Sequence, residues 1–256
     1  MTNIEHNLQH IRSRIADAAT RAGRDPNEIT LVAVSKTFPA DAVLAAYELG
    51  VRHFGENRVE EAAEKIPLFN QRLQTNHPTN ALSNSRTIAL PTWHLVGHLQ
   101  SRKAKDAAAL FDFIQSIDSI ALAKKLNDRA AALNKKIPIL LEVNVSGEMS
   151  KYGFAPEPRD AFFDAVRGIV ALPNLDVHGL MTVAPIAQNA DDARPRSAFR
   201  ALRALRDELR RELPSHSLPH LSMGMTDDFE IAIAEGATIV RIGRAIFGER
   251  KLPGEN

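Results

Sequence analysis

Lysine and arginine are seldom buried unless something holds them, and two of them in this 256-residue chain stand where burial is expected. Lys36 closes the almost wholly apolar run LVAVSK (31–36). Arg241 lies between Ile239, Val240 and Ile242 in TIVRIG (238–243), and Gly243 and Ile246 carry the buried pattern beyond it. An amine at the end of a buried strand suits Schiff-base chemistry. Desolvation and nearby positive charge lower its pKa and free it to attack an aldehyde. The competing reading is that both side chains carry their charged ends out to solvent, and it is stronger for Lys36 than for Arg241. Taken alone, the lysine fits a cofactor-free aldolase as well as a cofactor-bearing protein.

A second group of residues suits a phosphate. In RIGRAIFGER (241–250), Gly243 precedes a short helical turn. A glycine there permits close backbone approach, and N–H groups at a helix start bind phosphate. The segment SMGMTDD (222–228) adds two hydroxyls, a glycine and acids that can cap the next helix. A cup built from Ser222, Gly224, Thr226, Gly243 and Arg244 follows, against the alternative that both glycines serve turn geometry alone.

Such residues need a frame. Eight short segments read as buried strands: LVAVSK (31–36), HFGEN (53–57), WHLVG (93–97), FDFIQSID (111–118), PILLEVNV (138–145), VHGLMTV (177–183), HLSMGMT (220–226) and TIVRIG (238–243). Most are near-continuous apolar runs, as parallel strands covered on both faces require. Helical periods lie between them, the clearest over 192–213, where Phe199, Leu202, Leu205, Leu209 and Leu213 share a stripe. Ile4, Leu8, Ile11 and Ile15 predict an amphipathic first helix. This alternation predicts one (β/α)8 TIM barrel over residues 1–256, with a doubly wound open sheet as the rival. In a barrel, function sits where strands end. Asn57 ends the second strand, His94 lies within the third, Asn144 and Thr182 come late in the fifth and sixth, and Ser222 lies in the seventh. The polar stretch 70–92 reads as a mobile surface insertion at the opposite, bottom face.

Composition closes off several classes. The chain has no cysteine, which excludes disulfides, thiolate metal sites and a cysteine nucleophile, and which suits a reducing cytosol. A net charge of +1 gives no global field for nucleic acid. Seven arginines over 194–211 are interleaved with Asp207, Glu208 and Glu212, as on a solvated helix face. No apolar run is long enough to span a bilayer, and no apolar segment of signal-peptide type follows the start. The early arginines admit a transit peptide, against which Glu5 and Asp17 argue. The expected location is the cytoplasm.

The motifs VAVSK, HFGEN, WHLVGHLQSRK, GLMT and LSMGMTDDFEIAIAEGATIVRIGRAIFGER, with their spacing, resemble the YggS/PROSC family of pyridoxal phosphate homeostasis proteins. That family is related to the barrel domain of bacterial alanine racemases, and the resemblance runs from about Ile4 to Arg250. It implies pyridoxal 5'-phosphate as cofactor, with Lys36 holding it as an internal Schiff base and Arg241 facing the pyridine nitrogen. It places the phosphate against Ser222, Thr226 and the backbone at Gly243 and Arg244. Asn57 and His94 would line the pocket. Lys151, in SKYGF, matches a family lysine without a pocket role legible from sequence.

A guanidinium cannot protonate the ring nitrogen, so the ring is a weak electron sink. Racemisation also needs an acid/base group on each face of the substrate. Of the two tyrosines, Tyr47 reads as helix packing and Tyr152 as a loop residue near the mouth. Little chain follows the eighth strand, so no second domain of the racemase kind is expected. These points favour a monomeric carrier that exchanges its cofactor with apo-enzymes and has no catalytic or metal-binding residues. The rivals are an amino-acid racemase and the aldolase.

Overall fold

The computed structural model describes residues 3–76, 90–189 and 192–249. Eight strands form a closed, all-parallel barrel in sequence order. They are β1 (Thr30–Val34), β2 (His53–Glu56), β3 (Thr92–Leu95), β4 (Phe113–Ile117), β5 (Ile137–Glu142), β6 (Leu175–Met181), β7 (His220–Ser222) and β8 (Ile239–Ile242). The helices are α1 (Asn3–Arg21), α2 (Ala40–Glu48), α3 (Val59–Asn76), α4 (Ala104–Leu110), α5 (Ile120–Ala132), α6 (Arg159–Val170), α7 (Arg194–Glu212), α8 (Phe229–Ala234) and α9 (Arg244–Phe247). The open-sheet rival is excluded because β1 pairs with β8 over four residues, Thr30 to Ala33 against Ile239 to Ile242.

Two apolar layers hold the fold. The larger lies between strands and helices, with Phe54, Phe69, Phe111, Phe199 and Phe229 buried in it. The smaller joins Val32, Phe113, Leu140, Met181 and Ile239. These come from strands that are not all neighbours, so they meet across the inside of the barrel. α9 has four residues and cannot cover its strand alone. α1 supplies the cover, burying Leu8, Ile11, Ile15, Ala18 and Ala19. Asn7 Nδ2 donates to the Ile246 carbonyl at 3.0 Å, and Arg14 pairs with Glu230 at 3.0 Å.

The seams are unequal. β5 and β6 match over six residue pairs, whereas β7 and β8 share one, Ser222 with Ile239. The seventh strand, expected over 220–226, stops at Ser222, because Gly224 takes φ +94 and turns the chain out of the sheet. β1 likewise ends at Val34 rather than at Lys36, which falls in a turn with Thr37 at φ 68. Of the stretch 70–92, residues 70–76 are the last turns of α3 rather than loop, and Thr92 already belongs to β3. Residues 77–89 lie outside the described residues.

Candidate functional site

The C-terminal ends of the strands surround a cavity of about 770 Å³. Lys36, Asn57, Thr226, Arg241, Gly243 and Arg244 all line it, beside Val34, Val96 and Val183. Residues read from distant parts of the sequence thus share one space. Ser222, Gly224 and His94 do not line it.

The turn that carries Lys36 is braced from behind. Lys65, on α3, is buried and donates to the Ser35 carbonyl, Glu56 Oε1 and Glu61 Oε1, each at 2.7 Å. Ser35 Oγ donates to the same Glu56 oxygen at 2.7 Å, and the Thr37 N–H donates to Glu61 at 2.5 Å. A β-branched residue at positive φ is costly unless its surroundings hold it, and Glu61 does so here. Burial pushes the Glu56 carboxyl up, against the pull of the Lys65 ammonium. This brace was not read from the sequence. Its one legible trace is the Glu61–Lys65 spacing of four on a helix.

Arg241 is the second anchor. Its Nη1 donates to Ser222 Oγ at 2.6 Å and its Nη2 to the Thr182 carbonyl at 2.8 Å. Burial lowers its pKa to about 10, with Glu142 and Asp228 opposing the shift, so it stays a cation at neutral pH. Glu142 ends β5, and burial raises its carboxyl to about 7 although Arg241 pulls it down. Glu142 Oε2 is buried without a hydrogen-bond partner among the described residues.

Three expected site residues do other work. Ser222 is fully buried, and its hydroxyl holds Arg241 and donates to Gln115 Oε1 at 2.6 Å, so it does not reach a phosphate in the cavity. Gly224 serves geometry: a Cβ there would lie 2.6 Å from that of Ala232 on α8. Its carbonyl accepts the Arg241 N–H at 3.0 Å. His94 is buried in the barrel interior between His53 and Gln115, at 3.1 and 2.9 Å. Sequence alone placed these three on the right strands or loops, but the direction of each side chain depends on neighbouring strands.

The other residues singled out in the sequence take the following positions. Gly243 caps α9 and lies so close to β1 that a Cβ would sit 2.9 Å from the Val34 carbonyl. Arg244 pairs with Asp227 at 2.7 Å. Asn144 organises its own loop, donating to the Glu148 carbonyl at 2.9 Å. The Thr182 hydroxyl donates to the Val143 carbonyl at 2.7 Å. Lys151 reaches Glu148 at 2.8 Å and the carbonyl of cavity-lining Val183 at 3.3 Å. Tyr152 is exposed and stacks on His98, with centroids 3.7 Å apart, and Tyr47 packs edge-on against Phe69. On α7, Arg196, Arg200 and Arg203 converge on buried Glu235 at 2.5, 3.0 and 3.6 Å.

The family model described as "Alanine racemase, N-terminal domain" matches residues 2–251. A pyridoxal phosphate homeostasis protein of Aquifex aeolicus is 42% identical over 244 residues, covering 95% of this chain and 97% of that protein. The protein of the same description from Pseudomonas aeruginosa is 41% identical over 250 residues, covering 98% and 97%. The solved structure of PipY from Synechococcus elongatus with PLP bound is 35% identical, with a TM-score of 0.76, covering 96% of this chain and 100% of that one. An alanine racemase of Clostridium difficile shares the fold at 16% identity and a TM-score of 0.66, and this chain spans 56% of its length. With identity near 40% over nearly their whole length to several such proteins and a match to the alanine racemase N-terminal domain over residues 2–251, the chain belongs to the family of pyridoxal phosphate homeostasis proteins.

Proposed function

We propose that this protein binds pyridoxal 5'-phosphate reversibly and acts in its homeostasis rather than in amino-acid turnover. One observation carries the reading: a single cavity of about 770 Å³ is lined by an amine, Lys36, and by a buried guanidinium, Arg241. That volume is in the range of small-molecule sites.

The donor set fits the ligand group by group. Lys36 supplies a nucleophile for an aldehyde. Arg241 donates from a fixed position and accepts nothing, which suits an unprotonated ring nitrogen. Thr226 and the first N–H groups of α9, at Arg244 and Ala245, offer donors for a phosphate; the helix itself cannot use those N–H groups. Asn57 adds a neutral donor and acceptor on the cavity wall. When bound, the cofactor supplies an electrophilic carbon and a conjugated ring. A ring nitrogen facing a guanidinium makes that ring a poor electron sink. The exposed, stacked position of Tyr152 supplies no rigid acid/base group on the second face. We therefore read the protein as a monomeric carrier that hands its cofactor to apo-enzymes. Its freedom from cysteine suits the cytoplasm.

The test is reductive trapping. Purified protein mixed with pyridoxal 5'-phosphate should develop near-visible absorbance, and borohydride followed by peptide mapping should place the adduct on Lys36. Lys36→Ala should fold and lose the absorbance. An adduct on Lys151 alone would overturn the assignment. Washout of deuterium from the α-carbon of L- or D-amino acids at rates of order 1 per second, usual for enzymes, would overturn the carrier reading.

A further inference from the structure

We propose that His94 and Gln115 are positioning residues for Arg241, the far links of a one-way hydrogen-bond chain through the barrel interior that fixes the guanidinium. The proposal rests on the pyridoxal-phosphate reading of the cavity and names a group of residues that reading leaves out.

The chain runs Arg241 Nη1 to Ser222 Oγ (2.6 Å), Ser222 Oγ to Gln115 Oε1 (2.6 Å), Gln115 Nε2 to His94 Nδ1 (2.9 Å), and His94 Nε2 to His53 Nδ1 (3.1 Å). It crosses from β8 to β7, β4, β3 and β2. Its direction follows from chemistry. A guanidinium can only donate, so Ser222 accepts from Arg241 and spends its single proton on Gln115. The Gln115 oxygen is thereby committed, and its NH2 must face His94. The Nδ1 of His94 therefore carries a lone pair, and the ring proton sits on Nε2, pointing at His53.

The chain is buried along most of its length: Ser222, Gln115 and His94 are each at most 1% exposed. Reversing any link leaves a buried hydroxyl or amide unpaired, which is unfavourable in the barrel interior. His94 is also wedged against Phe113, with ring centroids 5.2 Å apart, and burial together with His53 and His220 drives its pKa to about 3. It is thus held neutral and in one tautomer. The second hold on the guanidinium is a backbone carbonyl, that of Thr182. Arg241 uses two of its five N–H donors in these bonds and still lines the cavity. The chain decides where the remaining donors point, and so where a ring nitrogen finds its partner.

Two measurements separate this inference from the cofactor reading. In the apo-protein, ¹⁵N-histidine spectra should show His94 as a single Nε2–H tautomer that does not titrate between pH 5 and 8. An Nδ1–H form, a mixture of tautomers, or a titration in that range would overturn the chain, whatever the protein binds. In the holo-protein, ¹⁵N-labelled cofactor should report an unprotonated ring nitrogen. Gln115→Met, near in shape, and Ser222→Ala should shift that signal and weaken binding roughly tenfold or more, while Ser222→Thr, which keeps the hydroxyl, restores both. Folded variants with unchanged ring-nitrogen shift and affinity would refute the positioning role. A wild-type protein that binds no cofactor would overturn the function proposed above, and the His94 tautomer would still decide the chain.

Discussion

Replacing Lys65 by methionine leaves the Glu56 carboxylate buried without its ammonium. Breaking one side of a buried pair costs about 3–5 kcal/mol, so Lys65→Met should lower the unfolding free energy by that much. It should also weaken cofactor binding, because Lys65 holds the Ser35 carbonyl next to Lys36. Unfolding and cofactor titrations of the same variant check both effects. His94 gives a pH-dependent counterpart. Its folded pKa is lowered from the usual 6.5 to about 3, so the unfolded chain takes the proton first. The stability tied to the neutral ring is complete above pH 6.5 and is lost as pH falls from 6.5 toward 3. The slope is about 1.4 kcal/mol per pH unit. Glu142, raised to about 7, tilts the curve the other way, since its burial costs stability as pH rises from 4.5 to 7. The His94 part is therefore read as the slope that His94→Gln abolishes in urea titrations at pH 4–6. Lys36 and Arg241 were legible because a charge inside an apolar run is conspicuous in one dimension. Gln115 was not, because a neutral amide in FDFIQSID acquires its meaning from Ser222 and His94 on other strands.

At the scale of elements, the loop after β7 makes a sharper demand than the strand before it. Gly224→Ala would place a methyl against Ala232 and force an L side chain to φ +94. Strain and overpacking together should cost about 2–4 kcal/mol. They should also disturb Arg241, whose N–H the Gly224 carbonyl accepts. Gly168 on α6 provides the contrast: a Cβ there meets nothing within 4 Å. Gly168→Ala should stabilise by about 0.5–1 kcal/mol, as a helix interior favours alanine. Thermal unfolding of the two variants measures the difference. The number and type of elements were readable from period, since parallel strands are apolar throughout and α7 keeps a clean stripe. Their ends were not, because hydrophobicity continues past the point where geometry stops the strand. HLSMGMT continues with Met223 and Met225, yet the strand ends at Ser222. The converse holds for 70–76, a mostly polar stretch that continues α3 because Leu73 is buried while its neighbours face solvent.

For the whole molecule, eight alternations of strand and helix announce a barrel, but the evenness of its closure cannot be read from a list of strands. β7 and β8 share one residue pair, extended by the Met223 N–H to the Ile239 carbonyl at 3.1 Å and the Arg241 N–H to the Gly224 carbonyl at 3.0 Å, so this joint is shorter than that of β5 and β6. Native-state hydrogen exchange should show it: amides of His220–Met223 and Ile239–Ile242 should exchange by local opening at a free energy below that of β5 and β6, which share six pairs. Equal protection in both regions would contradict an uneven ring. Arg241 stands on β8, next to that joint. A ring that breathes there loosens its grip on a ligand without unfolding, so the lifetime of the complex would be set by the rate at which one short strand swings away.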